Sequence, residues 1–289
     1  MPSRSMIAVI VAFWLGTLGF AFYRDVWPRL VANGPPPLSV DLAEEASPNV
    51  SVKWNVSRGD RKIGRLNTHM SYSDVDDTFL QIHDFHQLEL QFGETTIRIP
   101  QLRTMTRVSR SGELREQSME GKLQAQVAGS TIEAEAHVHG TVVAGQFRSR
   151  CVLKSAFLDL DQELDPVSVP KGQALNPLQV MSRINGLRAD QHWLVQEIDP
   201  LGDAVAALIT GQMKKFGLPT YRRERDSIVA RVSSSPEELE WKGAAHSCWV
   251  IEYRGNDARA KTWVRVSDGK VLRQEAFGKG ERLTIERDE

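Results

Sequence analysis

Residues 248–285 read Cys-Trp-Val-Ile-Glu-Tyr-Arg-Gly-Asn-Asp-Ala-Arg-Ala-Lys-Thr-Trp-Val-Arg-Val-Ser-Asp-Gly-Lys-Val-Leu-Arg-Gln-Glu-Ala-Phe-Gly-Lys-Gly-Glu-Arg-Leu-Thr-Ile. Trp249, Ile251 and Tyr253 fall on one face of an extended chain, because side chains alternate with a period of two. Arg254-Gly255-Asn256-Asp257 is a turn. Thr262, Val264 and Val266 continue the alternation, Ser267-Asp268-Gly269-Lys270 turns again, and Val271–Phe277, Gly278-Lys279-Gly280 and Leu283–Ile285 follow. The stretch predicts a four-strand antiparallel meander.

The same period runs upstream. Val52, Trp54 and Val56 alternate with polar residues, Arg58-Gly59-Asp60-Arg61 turns, and Leu66, Thr68, Met70 and Tyr72 alternate again. Phe79–Leu90 is a third strand whose alternation slips near Asp84-Phe85-His86, as at a β-bulge. Thr95–Ile99 and Leu102–Val108 are apolar on opposite parities around Pro100, which calls for a register shift. Arg110-Ser111-Gly112-Glu113 turns the chain. Leu123, Ala125 and Val127 lead through Gly129-Ser130 to Ile132, Ala134, Ala136 and Val138. Gly140 and Gly145 bracket further short strands through Phe147, Cys151 and Leu160. Such spacing argues a mostly β fold: a curved antiparallel sheet, or half-barrel, with one or two short helices.

The helices are read from their end signals. Asn176 as cap, Pro177 at the first turn, apolar Leu178, Met181 and Ile184, and Gly186 at the end predict one helix over 176–186. A second is expected from Asp203 to Met213. The domain reading is one β domain over 50–289; two packed β lobes joined near 171–190 are the alternative.

Met6–Tyr23 is a run of 18 residues without a charge. At about 1.5 Å per residue it makes a helix of roughly 27 Å, close to a hydrocarbon core of about 30 Å. It outlasts the apolar part of a signal peptide, ends in Phe20-Ala21-Phe22-Tyr23 and has no small-residue cleavage site, so an uncleaved transmembrane anchor over 1–23 is favoured over a cleaved signal or a buried core helix. Tyr23 and Trp27 suit the membrane interface. Asn33-Gly34-Pro35-Pro36-Pro37 and Pro48 mark residues 24–49 as a stiff, Pro-rich stalk. The expected partner is therefore a membrane, through residues 6–23, with the C-terminal domain on the extracytoplasmic side.

The chain has 36 Lys and Arg against 37 Asp and Glu, and a formal net charge of −1. No dense basic stripe is present, which argues against nucleic acid as a partner. Tyr221-Arg222-Arg223-Glu224-Arg225 is interrupted by acid and reads as solvated surface. Cys151 and Cys248 could bridge a long loop outside the cytoplasm, or both be small buried apolar residues; the second is favoured.

No constellation assembles a catalytic or metal site. His137 and His139 share a strand face with Glu133 and Glu135, but zinc wants three or four ligands. His83-Asp-Phe-His86 is no stronger. Asp159, Asp161, Glu163 and Asp165 alternate along a strand without the glycine-bearing loop that calcium needs. No nucleophile elbow and no phosphate loop occurs. No cofactor is expected, and the reading is non-enzymatic.

Two places carry a resemblance. One is Trp54 followed by Gly59, Ile63 and Gly64; the other is Cys248-Trp249-Val250-Ile251 with Trp263-Val264-Arg265-Val266 and Asp268-Gly269-Lys270-Val271-Leu272-Arg273-Gln274-Glu275. They resemble the membrane-anchored or secreted β-proteins of bacterial envelopes grouped loosely with the lipoprotein-carrier fold. That resemblance implies a curved sheet wrapped over short helices, offers no catalytic residues, and departs from the soluble carriers in the anchor.

The expected function is accordingly binding. An apolar ligand, such as a lipid or lipoprotein acyl chain, is expected on the concave face between the sheet and the 176–186 segment. Trp54, Met70, Ala134, Ala136, Met181 and Ile184 are the candidate lining residues, because small inward side chains beside large ones favour a cleft. The alternative is a structural or protein-interaction scaffold of the envelope with a filled core.

Overall fold

The computed structural model describes residues 13–20, 50–92, 95–127, 130–156, 159–170, 172, 174, 179–195, 198–215, 228–255, 259–278 and 281–288. Residues 13–20 are helical (α1), with Phe13, Trp14, Leu15, Leu18 and Phe20 exposed. Among the described residues no helix is long and apolar enough to cross a membrane. The remainder of the 6–23 segment, the 24–49 stalk and the 221–225 basic run lie outside the described residues.

Nearly everything else is one antiparallel sheet of 16 strands. The first seven follow one another as neighbours: β1 (Val50–Arg58), β2 (Arg61–Ser73), β3 (Thr78–Phe92), β4 (Thr95–Ser109), β5 (Leu114–Val127), β6 (Ser130–Val143) and β7 (Gln146–Ser155). The short β8 (Asp159–Glu163) and β9 (Val167–Ser168) both pair with β7. On the other side, β10 (His192–Val195) and β11 (Ile228–Val232) lead to β13 (Ala244–Arg254), which also carries β12 (Glu237–Trp241). Then come β14 (Arg259–Arg265), β15 (Val271–Gly278) and β16 (Glu281–Arg287). β16 zips onto β1, with Trp54 opposite Arg287 and Val56 opposite Ile285, so the C-terminal meander continues the N-terminal one. The ends of the path, β10 and β8, leave the curved sheet open.

The alternation decides which face is buried. Trp54, Leu66, Phe85, Leu102, Gly121, Ala136 and Leu153 are cross-strand partners from β1 to β7 and share the inner face. Val52, Trp54, Leu66, Phe79, Phe147, Trp193, Ile251, Tyr253 and Val264 belong to one inner core. Cys248, Leu239 and Leu272 form a second, small cluster, with Trp241 and Trp263 packed against it. Both cysteines are free and buried.

The register shifts are where parity breaks in the sequence. β1 and β2 slip at Val56/Ser57, which makes Ile63 the extra residue and buries it beside Gly64. β4 and β5 slip between Arg98 and Gln101, as the parity change around Pro100 requires. In β3 the face change comes at Gln87, whose φ is 55°, one residue beyond the expected Asp84–His86. There Leu88, not Gln87, turns to the core. Gly140 is an inner-face residue within β6 rather than a strand boundary; a Cβ there would overlap the Phe147 ring that lies across it.

The helix expected over 176–186 is not formed where it is described: residues 179–186 contain no helix, and 175–178 lie outside the described residues. The physical reason is competition for the backbone. Val271 N–H donates to Ser182 O (3.0 Å), Ile184 N–H donates to Gly269 O (2.8 Å), and Arg183 forms an isolated antiparallel bridge with Lys270. Gln274 Nε2 donates to Gln179 O, and Arg287 Nη1 to Ser182 O (2.9 Å). Residues 179–186 are thus an extended strap across the inner face, tied to the 268–270 turn; upstream, Ala174 N–H donates to Gly112 O. The second helix does form. It is α2 (Pro200–Lys215), longer at its start than expected, and it packs over β6, β7 and β9.

The Asp268-Gly269 turn makes this docking possible. Asp268 accepts both Arg265 Nε (2.8 Å) and Nη2 (2.6 Å), and that guanidinium holds its carboxyl below the ordinary carboxylate range. Gly269 has φ 69°, and a Cβ there would overlap the Asn185 side-chain oxygen. Gly269→Ala is expected to destabilise the fold by about 2 kcal/mol, part left-handed backbone and part steric. Thermal unfolding would show it as a drop of roughly 4–8 °C. Adding Asn185→Ala should recover only the part of the steric cost due to that side chain, since the Ile184 carbonyl stays 3.0 Å from the new Cβ. An unchanged melting temperature in Gly269→Ala would contradict the strap's dependence on this turn.

Candidate functional site: an inner-face cavity with a polar lining

The six candidate residues from the sequence share the inner face but not one cleft. Trp54 (1% exposed), Met70 (5%), Met181 (2%) and Ile184 (1%) lie in the packed core. Trp54 Nε1 donates to Thr68 Oγ1 (3.0 Å), and the Arg287 guanidinium lies 5.6 Å from the Trp54 ring centre. Ala134 and Ala136 are half-buried in β6. Ala136 and Gly121 also floor a groove of about 420 Å³ with Glu120, Lys122, Glu135, His137 and Lys154.

The open space on the inner face lies next to that core. A cavity of about 450 Å³ is bounded by Gln81 and His83 of β3, Thr104 and Thr106 of β4, Gln117, Ser118 and Met119 of β5, Gln179 and Val180 of the strap, Ile198 and Asp199 just before α2, and Leu201, Gly202 and Val205 in its first turns. The register builds this lining. His83 stands opposite Thr104, and Gln81 opposite Thr106. Thr104 stands opposite Met119, and Thr106 opposite Gln117. Two adjacent cross-strand rows thus present amide, hydroxyl and imidazole groups where alternation would otherwise place apolar ones.

Several of these polar groups have structural ties. Gln81 Nε2 (3.4 Å) and His83 Nε2 (3.2 Å) both meet Val180 O, which pins the strap to β3. A carbonyl only accepts, so His83 carries its proton on Nε2 and keeps Nδ1 as an acceptor. Burial pushes the His83 imidazole down to about 4, against the smaller opposing effects of the Val180 carbonyl and Asp84. Gln117 is the hinge to α2: its Nε2 donates to Asp199 Oδ1 (3.1 Å), and Leu201 N–H donates to its Oε1 (3.3 Å). Asp199 caps the helix by accepting Gly202 N–H (3.1 Å), and Pro200 follows at the first helical position. Gln179 Oε1 is buried with no hydrogen-bond partner among the described residues.

The other motifs resolve into outer-face pairs. His137 faces Glu120 (3.9 Å) and His139 faces Glu116 (3.6 Å), each on the neighbouring strand. Asp161 of β8 is held by both Arg150 Nε and Nη2 (2.6 and 2.7 Å). Among the described residues no group of three or more His, Cys, Asp or Glu is arranged to hold a metal ion.

The polar lining is neither a catalytic nor a metal constellation, and no such motif marks it in the sequence. Its signal lies in β3: Phe79, Gln81, His83 and Phe85 share one parity, so two polar residues sit between two aromatics on the inward side. Asp199-Pro200 is likewise a start signal for α2 that the nearby Asp203 obscures.

His83 gives the site a pH signature. Its folded-state value lies below the ordinary 6.5, so its contribution to stability is complete above about pH 6.5 and is lost as pH falls toward 4. Denaturant unfolding across that window should show the wild-type chain losing more stability than His83→Gln, with an NMR midpoint for the His83 ring near 4. A His83 midpoint at or above 6.5 would contradict the buried, neutral assignment.

No family model and no curated protein matches the chain. Among solved structures, a β-barrel-like protein of the domain of unknown function DUF1849 from Brucella abortus is similar over 83% of this chain and 95% of its own, at 9% identity and a TM-score of 0.37.

Proposed function

We propose that residues 50–289 are an extracytoplasmic binding domain, held on a membrane by residues 6–23, and that its inner-face cavity takes the apolar part of an amphiphile such as a lipid or a lipoprotein acyl chain. The observation that carries this reading is the cavity itself. Its volume of about 450 Å³ is within the range of small-ligand sites, and Met119, Val180, Ile198, Leu201 and Val205 give it an apolar wall. It lies between the sheet and the 179–180 part of the strap, on the side of the sheet where the sequence leads one to expect a ligand. The resemblance to anchored envelope proteins of the lipoprotein-carrier type supports the same reading.

A second reading has its own observation. Trp54, Met70, Met181 and Ile184 fill the concavity around the strap, as in a scaffold or protein-interaction module of the envelope. One experiment separates the two. Full-length protein, purified with native lipid, should yield on mass spectrometry a bound lipid near one per chain, and Met119→Trp, which fills the cavity, should reduce it about tenfold while the fold is retained. A lipid-free wild-type chain would leave the scaffold reading.

The topology has a separate test. A C-terminal fusion to a reporter that fluoresces only in the cytoplasm should stay dark in membranes, and a bright fusion would overturn the extracytoplasmic placement.

A further inference from the structure

The cavity's chemistry narrows its ligand beyond an apolar chain. Its polar side chains include three carboxamides (Gln81, Gln117, Gln179), threonine hydroxyls (Thr104, Thr106) and one imidazole (His83). The one carboxylate among the described lining residues is Asp199, and it is engaged by Gln117 and by the Gly202 N–H. No Lys or Arg is among them. An anionic head group brought here would leave water without a cation to meet it, which disfavours its binding. A cationic one would find only a carboxylate that is already bonded.

A neutral head group that donates hydrogen bonds is matched instead. Gln179 lines the cavity, and its Oε1 is a buried acceptor with no donor among the described residues, an arrangement that stays unfavourable until a donor reaches it. The threonine hydroxyls and carboxamides both donate and accept, so they suit hydroxyl or amide groups of either polarity. His83 adds an acceptor at Nδ1 and stays uncharged at neutral pH.

Resting on the binding function above, we infer that the cavity selects an uncharged, hydroxyl- or amide-bearing amphiphile, of the chemical class of a monoacylglycerol, over fatty-acid carboxylates and lipid phosphates. Hydrogen bonds from the ligand to Gln179 and the threonines hold the head, and Met119, Ile198, Leu201 and Val205 take the chain.

Titration calorimetry tests this with three probes of equal tail length: 1-monooctanoylglycerol, octanoate and octyl phosphate. The full chain is held in bilayer nanodiscs near neutral pH, and empty discs are the blank. The glycerol ester should bind about tenfold or more tightly than either anion, since neither anion meets a counter-charge in the described lining. Gln179→Met and Thr106→Val, both close in volume to the originals, should each cut that preference several-fold. Octanoate or octyl phosphate binding as tightly as the ester would overturn the head-group assignment and leave the cavity reading intact. No heat from any probe would overturn both. A preference untouched in both variants would also sink it, since the selection would then lie elsewhere.

Discussion

The structure depends on the hydrogen bonds that tie the strap to the sheet. An open, curved sheet of this many strands has an apolar inner face and no second layer of its own to cover it. Here the cover is a backbone. Ser182 O accepts from Val271 N–H and from Arg287, and Ile184 N–H donates to Gly269 O, so the strap gains strand-like partners from the ends of β14–β16. Its Val180, Met181 and Ile184 side chains are then buried against the sheet. A helix over the same residues would have satisfied the same backbone groups internally, but it would have taken those partners away from the Asp268–Lys270 turn, Gln274 and Arg287.

Arg287 shows how tightly this arrangement is drawn. A buried guanidinium is costly unless its donors are met. Its Nη1 reaches the Ser182 carbonyl, and its plane is near enough to the Trp54 ring for a cation–π contact. Because Arg287 pairs with Trp54 across β16 and β1, one side chain links the seam between the two meanders to the strap. The C-terminal motif that carries the resemblance therefore has a structural role, since its turn and its Gln274 grip the strap.

Where the strap and α2 stop, the inner face is not sealed, and there the lining turns polar. Inward-facing Gln, His and Thr in a β-protein weaken the core, since each buries hydrogen-bonding groups that an apolar residue would not. Val180 O and the start of α2 satisfy part of that demand through Gln81, His83 and Gln117. Gln179 Oε1 is left over. Asp84 Oδ1, Ser149 Oγ and Tyr253 OH are likewise buried without a hydrogen-bond partner among the described residues, so Gln179 is set apart by its place on the cavity wall.

The sequence by itself determined the N-terminal and C-terminal runs of strands, many of their turns, the register breaks in β3 and around Pro100 and the inward parity of Trp54, Met70, Ala134 and Ala136, because a period of two is a local property of the chain. The breaks at Val56/Ser57, Arg107/Val108 and Trp263/Val264 and the short β10–β12 came only with the fold. Pro100 announced its own bulge, and α2 was visible from its apolar spacing. Tertiary structure alone decided the rest. The 176–186 segment carries sound helix end signals, worth about 1–2 kcal/mol. In its described part, residues 179–186, the helix gives way to hydrogen bonds offered by residues about 90 to 105 positions away. The cavity is equally non-local. Gln81, Thr106, Gln117, Gln179 and Asp199 are scattered along the chain, and only the β3–β5 register, the strap's path and the helix cap bring them to one place. Whether an inward polar residue is a flaw in the core or the lining of a site depends on what packs opposite it, and that is set by the fold as a whole.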